Sequence, residues 1–316
     1  MKQYSTYFLA LLFSMTTVAG IAQSKAGTIQ ELGQVDWLRD YDTALAESKK
    51  SDKPILILFQ EVPGCATCRN YGDNTLSHPL IVDAIENEFV PLAIFNNKGG
   101  ADRKVLDHYG EPTWNNPVMR VVDSNGENIM KRLAGNYSAE GLVLYMSLAL
   151  RTAGKGEPEY LNLLKEELTA DNTETAYYKM YCFWSGESHF GAKDGVVSTE
   201  PGWMGGHEVV KVTFNNDVVS KKSLDKYAEQ GNCSPQTKGN YRIDKDPQYY
   251  LKKSKYRYLP LSDIQKSKIN AALGHGEDPT QYLSPTQIQW LSDSSSKKVL
   301  YTKDLKSAWE TAEAME

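Results

Sequence analysis

Four cysteines, Cys65, Cys68, Cys182 and Cys233, are the residues of this sequence whose type and spacing could carry chemistry. Two of them form Cys65-Ala66-Thr67-Cys68, shortly after the apolar run Pro54 to Phe59. A continuous apolar run of that length suits a strand buried on both faces, so the pair falls where a strand passes into a helix. The free N–H groups of a helix start stabilise a thiolate, which makes Cys65 the attacking sulfur. Cys68, one helical turn on, can then resolve the mixed disulfide. Zinc binding is the competing use of such a pair, but neither a second Cys-x-x-Cys nor a nearby His pair completes four ligands. Cys182 opens Cys182-Phe183-Trp184-Ser185-Gly186-Glu187, where two aromatics beside a cysteine would, taken singly, be core.

The surrounding elements follow from periodicity. Val35 to Lys50 has helical spacing through Trp37, Tyr41, Ala44 and Leu45, and Pro79 to Glu88 is expected helical after a Ser77 cap. Phe89 to Phe95 reads as a second buried strand. Val118–Val122 and Ile129–Leu133 flank Ser124-Asn125-Gly126-Glu127, a hairpin signal. Ser138 to Thr152 is an apolar helix. Gly154-Lys155-Gly156-Glu157-Pro158 breaks the composition, and Leu161–Leu168 is amphipathic. These breaks give a first domain over 27–153, a linker over 154–174, a second domain over 175–291 and a tail over 292–316. The tail carries a helix-like Lys303–Ala314 and no assigned function.

Length and composition agree with two globular units: 316 residues, 41% apolar, 24% charged and 10% aromatic. A formal charge of −5 and the lack of a basic stripe interleaved with aromatics argue against nucleic-acid binding. At the start, Lys2, the apolar run Tyr7–Val18 and the small residues ending at Ala22 read as a signal peptide over 1–22, with Gln23 first in the mature chain. The run is shorter than the ~20 residues needed to span a bilayer. The expectation is an exported protein, periplasmic in a Gram-negative bacterium. There an even cysteine count would suit two structural disulfides, but the Cys-x-x-Cys spacing points to redox use.

A strand, a Cys-x-x-Cys at a helix opening, and alternating elements closing in a hairpin and helix together resemble the thioredoxin fold. That resemblance implies a cis-proline opposite the pair, and Pro117 after Asn116 occupies its position. Val62-Pro63-Gly64-Cys65 is similar to a bacterial group of thioredoxin-like proteins in which the first position of the pair can be selenocysteine. That group has Thr where Cys68 stands; the second thiol here allows a dithiol cycle.

The second half resembles the A-type peptide methionine sulfoxide reductases. Cys182-Phe183-Trp184-Ser185-Gly186-Glu187 follows their G-C-F-W-G-x-E signature, and Gly202-Trp203-Met204-Gly205-Gly206 follows G-Y-x-G-G. His207-Glu208-Val209-Val210 is similar to their H-x-E strand, one residue shorter, and Asp244 with Gln248-Tyr249 fits D-x-G-x-Q-Y. The resemblance implies a fold of mixed class, α/β and α+β: a thioredoxin-like fold followed by a sulfoxide reductase A-like α/β sandwich. It also implies roles. Cys182 would attack the sulfoxide sulfur, Phe183 and Trp184 would cradle the methyl group, and Glu208 would be the acid, with Glu187 as the alternative. Asp244 and Tyr249 would position water and the sulfoxide oxygen. Cys182 would be left as a sulfenic acid, to be condensed with a second thiol. The family's loop between Gly-Gly and His-x-Glu, with its oxygen-binding tyrosine, is missing, as are its C-terminal resolving cysteines. Cys233 is then the local candidate to resolve, and otherwise Cys65 or Cys68 does so.

The leading expectation is a methionine-S-sulfoxide reductase acting on oxidised methionine in peptides or proteins. Its Cys65–Cys68 pair would supply reducing equivalents, tethering would raise the donor's effective concentration, and an external thiol reductant, for instance a membrane-borne carrier, would recharge the pair. No cofactor or metal is called for. Two other readings stand beside it: a thiol-disulfide oxidoreductase with a degenerate, substrate-binding second domain, and a non-enzymatic binder of methionine-containing peptides.

Overall fold

A computed structural model describes residues 29–114, 117–292 and 298–315. The expected signal peptide and its cleavage point at Gln23 lie outside them. The first unit runs α1 (Tyr41–Ser51), β1 (Ile55–Gln60), α2 (Ala66–Asn74), α3 (Pro79–Glu88), β2 (Val90–Phe95), α4 (Ala101–Tyr109), β3 (Val118–Val122), β4 (Leu133–Ala134) and α5 (Ala139–Thr152). Its sheet has the order β2-β1-β3-β4, with β1 parallel to β2 and antiparallel to β3. The apolar run of β1 is explained by a core on each face. Leu56 and Leu58 join Leu80, Ile81, Met146 and Leu150 on one side. Ile55, Ile57 and Phe59 join Ala44, Leu106 and Val122 on the other. Helices on both faces leave the strand apolar up to Gln60, its buried last residue.

Several boundaries differ from the periodicity reading. Residues 35–40 are not helical: Leu38 pairs with Leu92 of β2, and Asp40 accepts from the Thr43 N–H to cap α1. A strand partner and a good cap outweigh the apolar spacing of Trp37. Ser77 is not the cap of α3; its hydroxyl donates to the Gly72 carbonyl, and His78 holds the cap position. The hairpin forms, with Val122 bridging Asn128, but its return strand is confined to Leu133–Ala134. Helix α4 carries no expectation from the sequence, its apolar face being only Val105 and Leu106.

The second unit is α6 (Glu159–Leu168), β5 (Thr173–Lys179), α7 (Phe183–Gly191), β6 (Val196–Met204), β7 (His207–Asn215), α8 (Lys221–Gln230), β8 (Ser234–Pro235), β9 (Arg242–Ile243), α9 (Tyr249–Lys252), α10 (Asp263–His275), α11 (Pro285–Ser292) and α12 (Leu305–Glu313). Its antiparallel sheet has the order β8-β5-β7-β6-β9. Ala176 and Tyr178 of β5 and Val210, Val212 and Phe214 of β7 pack on Phe190 of α7 and Leu224 of α8. α10 begins with a capping box, the Ser262 side chain accepting from Gln265 N while Gln265 Oε1 accepts from Ser262 N. Among the described residues, no helix is long and apolar enough to cross a membrane.

Two expected spacers are structural. The linker contains α6, whose Tyr160, Leu161 and Leu164 enter the first unit's core. The tail turns back over both units. Tyr301 is buried with Leu251 and Ile269, and Trp309 of α12 sits in the first unit's core against Trp290, ring centroids 4.7 Å apart. A stretch without an apolar run still binds when three or four well-spaced large side chains find a waiting groove.

Candidate active sites

In the first unit, Cys65 is the N-cap of α2 and is exposed, whereas Cys68 is buried. Their sulfurs lie 3.3 Å apart, a dithiol in contact. The backbone N–H of Cys68, together with the thiol of Cys68 and the Thr67 N–H, holds the Cys65 thiol below its ordinary value. Burial, with Cys65 alongside, pushes the Cys68 thiol up to about 11. One sulfur is poised as a thiolate and the other kept as a thiol, the division of labour that attack and resolution require. The approach loop is fixed from two sides. Glu31 Oε1 accepts from Gly64 N at 2.7 Å, and Arg69 Nη1 donates to the Gly64 carbonyl at 2.5 Å. Gly64 has to be small, since a Cβ there would come within 2.6 Å of Cys68 Cβ.

Pro117 is buried immediately before β3, whose Val118 pairs with Phe59 at the cysteine end of β1. Its bond to Asn116, expected cis, lies outside the described residues. Glu61 escaped the sequence reading: a carboxylate oxygen of it and both cysteine sulfurs lie within 4.8 Å of one another. Its signal was available, a carboxylate at the exit of a buried strand four residues before Cys65. These three donors are one short of a closed tetrahedral zinc set. Asp83 of α3 is buried and accepts from the Thr286 backbone and hydroxyl.

In the second unit, Cys182 is the half-buried N-cap of α7, just past β5. Glu208 of β7 reaches the same helix end, its Oε2 accepting from Phe183 N at 2.9 Å. The pairing Trp203–Glu208 across the β6–β7 hairpin brings this about, since that hairpin turns on only Gly205-Gly206. Rings then line the helix start. Phe183 meets Trp184 at 5.6 Å and Trp203 at 5.7 Å, and Trp184 stacks on Tyr249 at 4.0 Å and 17°. Trp203 Nε1 donates to Asp244 Oδ2 at 3.3 Å. The structure therefore joins Cys182, Phe183, Trp184, Glu208, Asp244 and Tyr249 into one cluster and adds Trp203, which the sequence placed only by alignment. The Trp184 Nε1–H is buried without an acceptor. A separate cleft of about 360 Å³, lined by Thr199, Lys211, Asp263 and Tyr301 among others, holds none of the thiols.

Glu187 lies below this cluster. It is fully buried, its Oε1 accepts from Gln248 N at 3.1 Å, and its Oε2 has no partner. Burial pushes its carboxyl up to about 8, against the lowering effect of the N–H groups of Gln248 and Tyr249. A carboxyl that is neutral near pH 7 thus supports the turn that presents Tyr249. Cys233 is 4% exposed among Tyr178, Phe190 and Ala228, donates to the Gly231 carbonyl, and is pushed up to about 11 by burial. It adjoins β5 through the Ser234–Lys179 pair but is not bonded to Cys182.

Comparison with known proteins agrees with both halves. A thioredoxin-like family model matches residues 36–124. Peptide methionine sulfoxide reductase MsrA of Methanococcus maripaludis strain C7 is 40% identical over 17% of this chain, and that of strain C6 is 58% identical over the same share. The chain joins a thioredoxin-like domain to a region similar to MsrA. The enzyme of Methanothermobacter thermautotrophicus is 41% identical over 16% of the chain. The chain spans 45% of the length of the Methanococcus relatives and 40% of the latter, less than half in each case. A solved structure titled DsbH oxidoreductase aligns with 40% of this chain and 92% of its own at 17% identity and a TM-score of 0.33, too low to bear on the fold.

Proposed function

We propose that this protein is an exported thiol-dependent oxidoreductase that reduces methionine-S-sulfoxide in peptides or proteins. The observation that carries the reading is the start of α7, where Cys182, the Glu208 carboxyl and the rings of Phe183, Trp184, Trp203 and Tyr249 converge. Aromatic faces suit a methyl group on sulfur. The Cys182 thiolate attacks the sulfoxide sulfur while Glu208 delivers a proton to the sulfoxide oxygen. The bond from that oxygen to the methionine sulfur breaks as the hydroxyl passes to the Cys182 sulfur, so methionine departs and Cys182 becomes a sulfenic acid. Asp244, held by Trp203, and Tyr249, held by Trp184, orient the oxygen and water. The Cys65–Cys68 dithiol provides the two electrons that return Cys182 to a thiol, and an external thiol reductant restores the pair.

The deciding experiment gives the folded protein a methionine-S-sulfoxide peptide and dithiothreitol. Turnover lost in Cys182→Ser supports the reading, and no turnover by wild type refutes it. Export is tested by cell fractionation and by whether the mature chain starts at Gln23. A second reading, a thiol-disulfide oxidoreductase whose second unit only holds substrate, draws on the shortened Gly205-Gly206 hairpin and the burial of Cys233. It expects insulin-type disulfide exchange by Cys65 and no sulfoxide turnover.

A further inference from the structure

A Cys-x-x-Cys by itself offers a metal ion two ligands, and the fold adds a third. Glu61 follows the last residue of β1, and one of its carboxylate oxygens lies within 4.8 Å of both sulfurs, which are 3.3 Å apart. Among the described residues this is the one place where three such donors converge. A tetrahedral ion bound through sulfur at ~2.3 Å and oxygen at ~2.1 Å needs its ligand atoms about 3.6–3.8 Å from one another. The sulfurs have to part by about half an ångström and the oxygen to approach by about 1.2 Å at most, shifts that small side-chain rotations supply. The backbone carrying the donors is tied down. Asn97 Oδ1 accepts from Val62 N at 3.3 Å, Glu31 Oε1 accepts from Gly64 N, and Arg69 Nη1 donates to the Gly64 carbonyl. Glu31 is thereby committed to the loop, whereas among the described residues no hydrogen bond or ion pair holds the Glu61 carboxylate. Burial is graded across the three: Cys68 is buried, Glu61 half-buried and Cys65 exposed, which leaves an entry path and a fourth position facing water.

We infer that Glu61, Cys65 and Cys68 form a zinc site with its fourth position open to water, and that zinc bound there keeps the pair reduced and out of thiol exchange. Two thiolates and a carboxylate match Zn2+, which takes sulfur and oxygen together; Ca2+ and Mg2+ require oxygen, and Cu(I) prefers sulfur. Binding moves no electrons: the thiol protons pass to solvent as two zinc–sulfur bonds form. With its lone pair on the metal, Cys65 no longer attacks a disulfide. Oxidised glutathione can then take two electrons from the pair only as zinc leaves. The zinc–sulfur bonds break, the Cys65–Cys68 bond forms, and two glutathione thiolates depart. Zinc and the disulfide exclude each other, so only the reduced chain binds the metal. The site belongs to the first unit and is independent of the sulfoxide chemistry proposed for Cys182.

The test titrates Co2+, a spectroscopic stand-in for Zn2+, into the full chain after reduction and removal of reductant and metal. One cobalt per chain should bind, with a thiolate-to-cobalt charge-transfer band and the visible bands of a tetrahedral ion, and Zn2+ should bleach both. The bands should persist in Cys182→Ser/Cys233→Ser and be lost in Cys65→Ser and in the oxidised chain. Glu61→Gln, checked for folding by circular dichroism, should weaken Zn2+ binding at least about tenfold, since even outer-shell partners are worth 10- to 100-fold. Stoichiometric Zn2+ should slow oxidation of the wild-type pair by oxidised glutathione at least about tenfold, and a chelator should restore the rate. Absence of the charge-transfer band, its persistence in Cys65→Ser, or an affinity unchanged in folded Glu61→Gln overturns the three-donor site. Oxidation by glutathione at the same rate with and without bound Zn2+ overturns the protective role. None of these results bears on dithiothreitol-driven sulfoxide turnover.

Discussion

Trp309→Ala should unfold the molecule at a markedly lower temperature, because α12 is a clasp and not a free tail. Trp309 is 7% exposed, sits in the core of the first unit, and meets Trp290 of α11 at 4.7 Å and 68°. A buried indole removes ~200 Å² from water, which at ~25 cal/mol per Å² sets an upper limit of about 5 kcal/mol. Large-to-small core replacements of Trp cost about 3–5 kcal/mol once the cavity is included. At about 2–4 °C per kcal/mol in a chain of this size, Tm should fall by roughly 6–20 °C. Differential scanning calorimetry measures this, with Val299→Ala, at an exposed position of the same segment, as the control expected within about 0.5 kcal/mol. Limited proteolysis should in parallel cut the variant faster around residues 298–304. A Tm change under about 2 °C would mean that the C-terminal segment contributes little, and would refute the packing argument.

Cys65 should react with iodoacetamide at neutral pH well before Cys68, since its thiol is held low while burial keeps Cys68 near 11; equal alkylation of both by mass spectrometry would contradict the assignment. Glu187→Gln should flatten the pH dependence of stability between about pH 5 and 8. The folded carboxyl, at about 8, keeps a proton that the unfolded one loses near 4.5, so stability falls as pH rises through that window, and the amide removes the effect. A wild-type melting profile without that decline would show that the carboxyl is not held neutral. Trp184→Leu should raise KM for a sulfoxide peptide by about 3- to 10-fold, the loss of one aromatic contact of about 0.5–1.5 kcal/mol, and an unchanged KM would exclude the ring from the substrate cradle.

The sequence by itself determined the local parts: β1, Cys65 at the head of α2, Ser138 at the start of α5, and Cys182 between a strand and a helix. These are legible because apolar period, capping chemistry and helix-start thiols act over a few residues. Where a competing local bond intervened, as with Asp40 capping α1 and Leu38 pairing with β2, periodicity alone placed the boundary wrongly. Only the tertiary structure decided the rest. That Glu187 holds its proton depends on complete burial under the Gln248–Tyr249 turn, 61 residues away in sequence. That Cys233 lies inside the core is an outcome of packing with no pattern of its own. The placement of α6 and α12 in the first unit's core follows from contacts between residues far apart in sequence, such as Tyr160 with Glu88 and Thr286 with Asp83. Sequence spacing carries local geometry, but long-range burial and hydrogen bonding exist only once the chain has closed on itself.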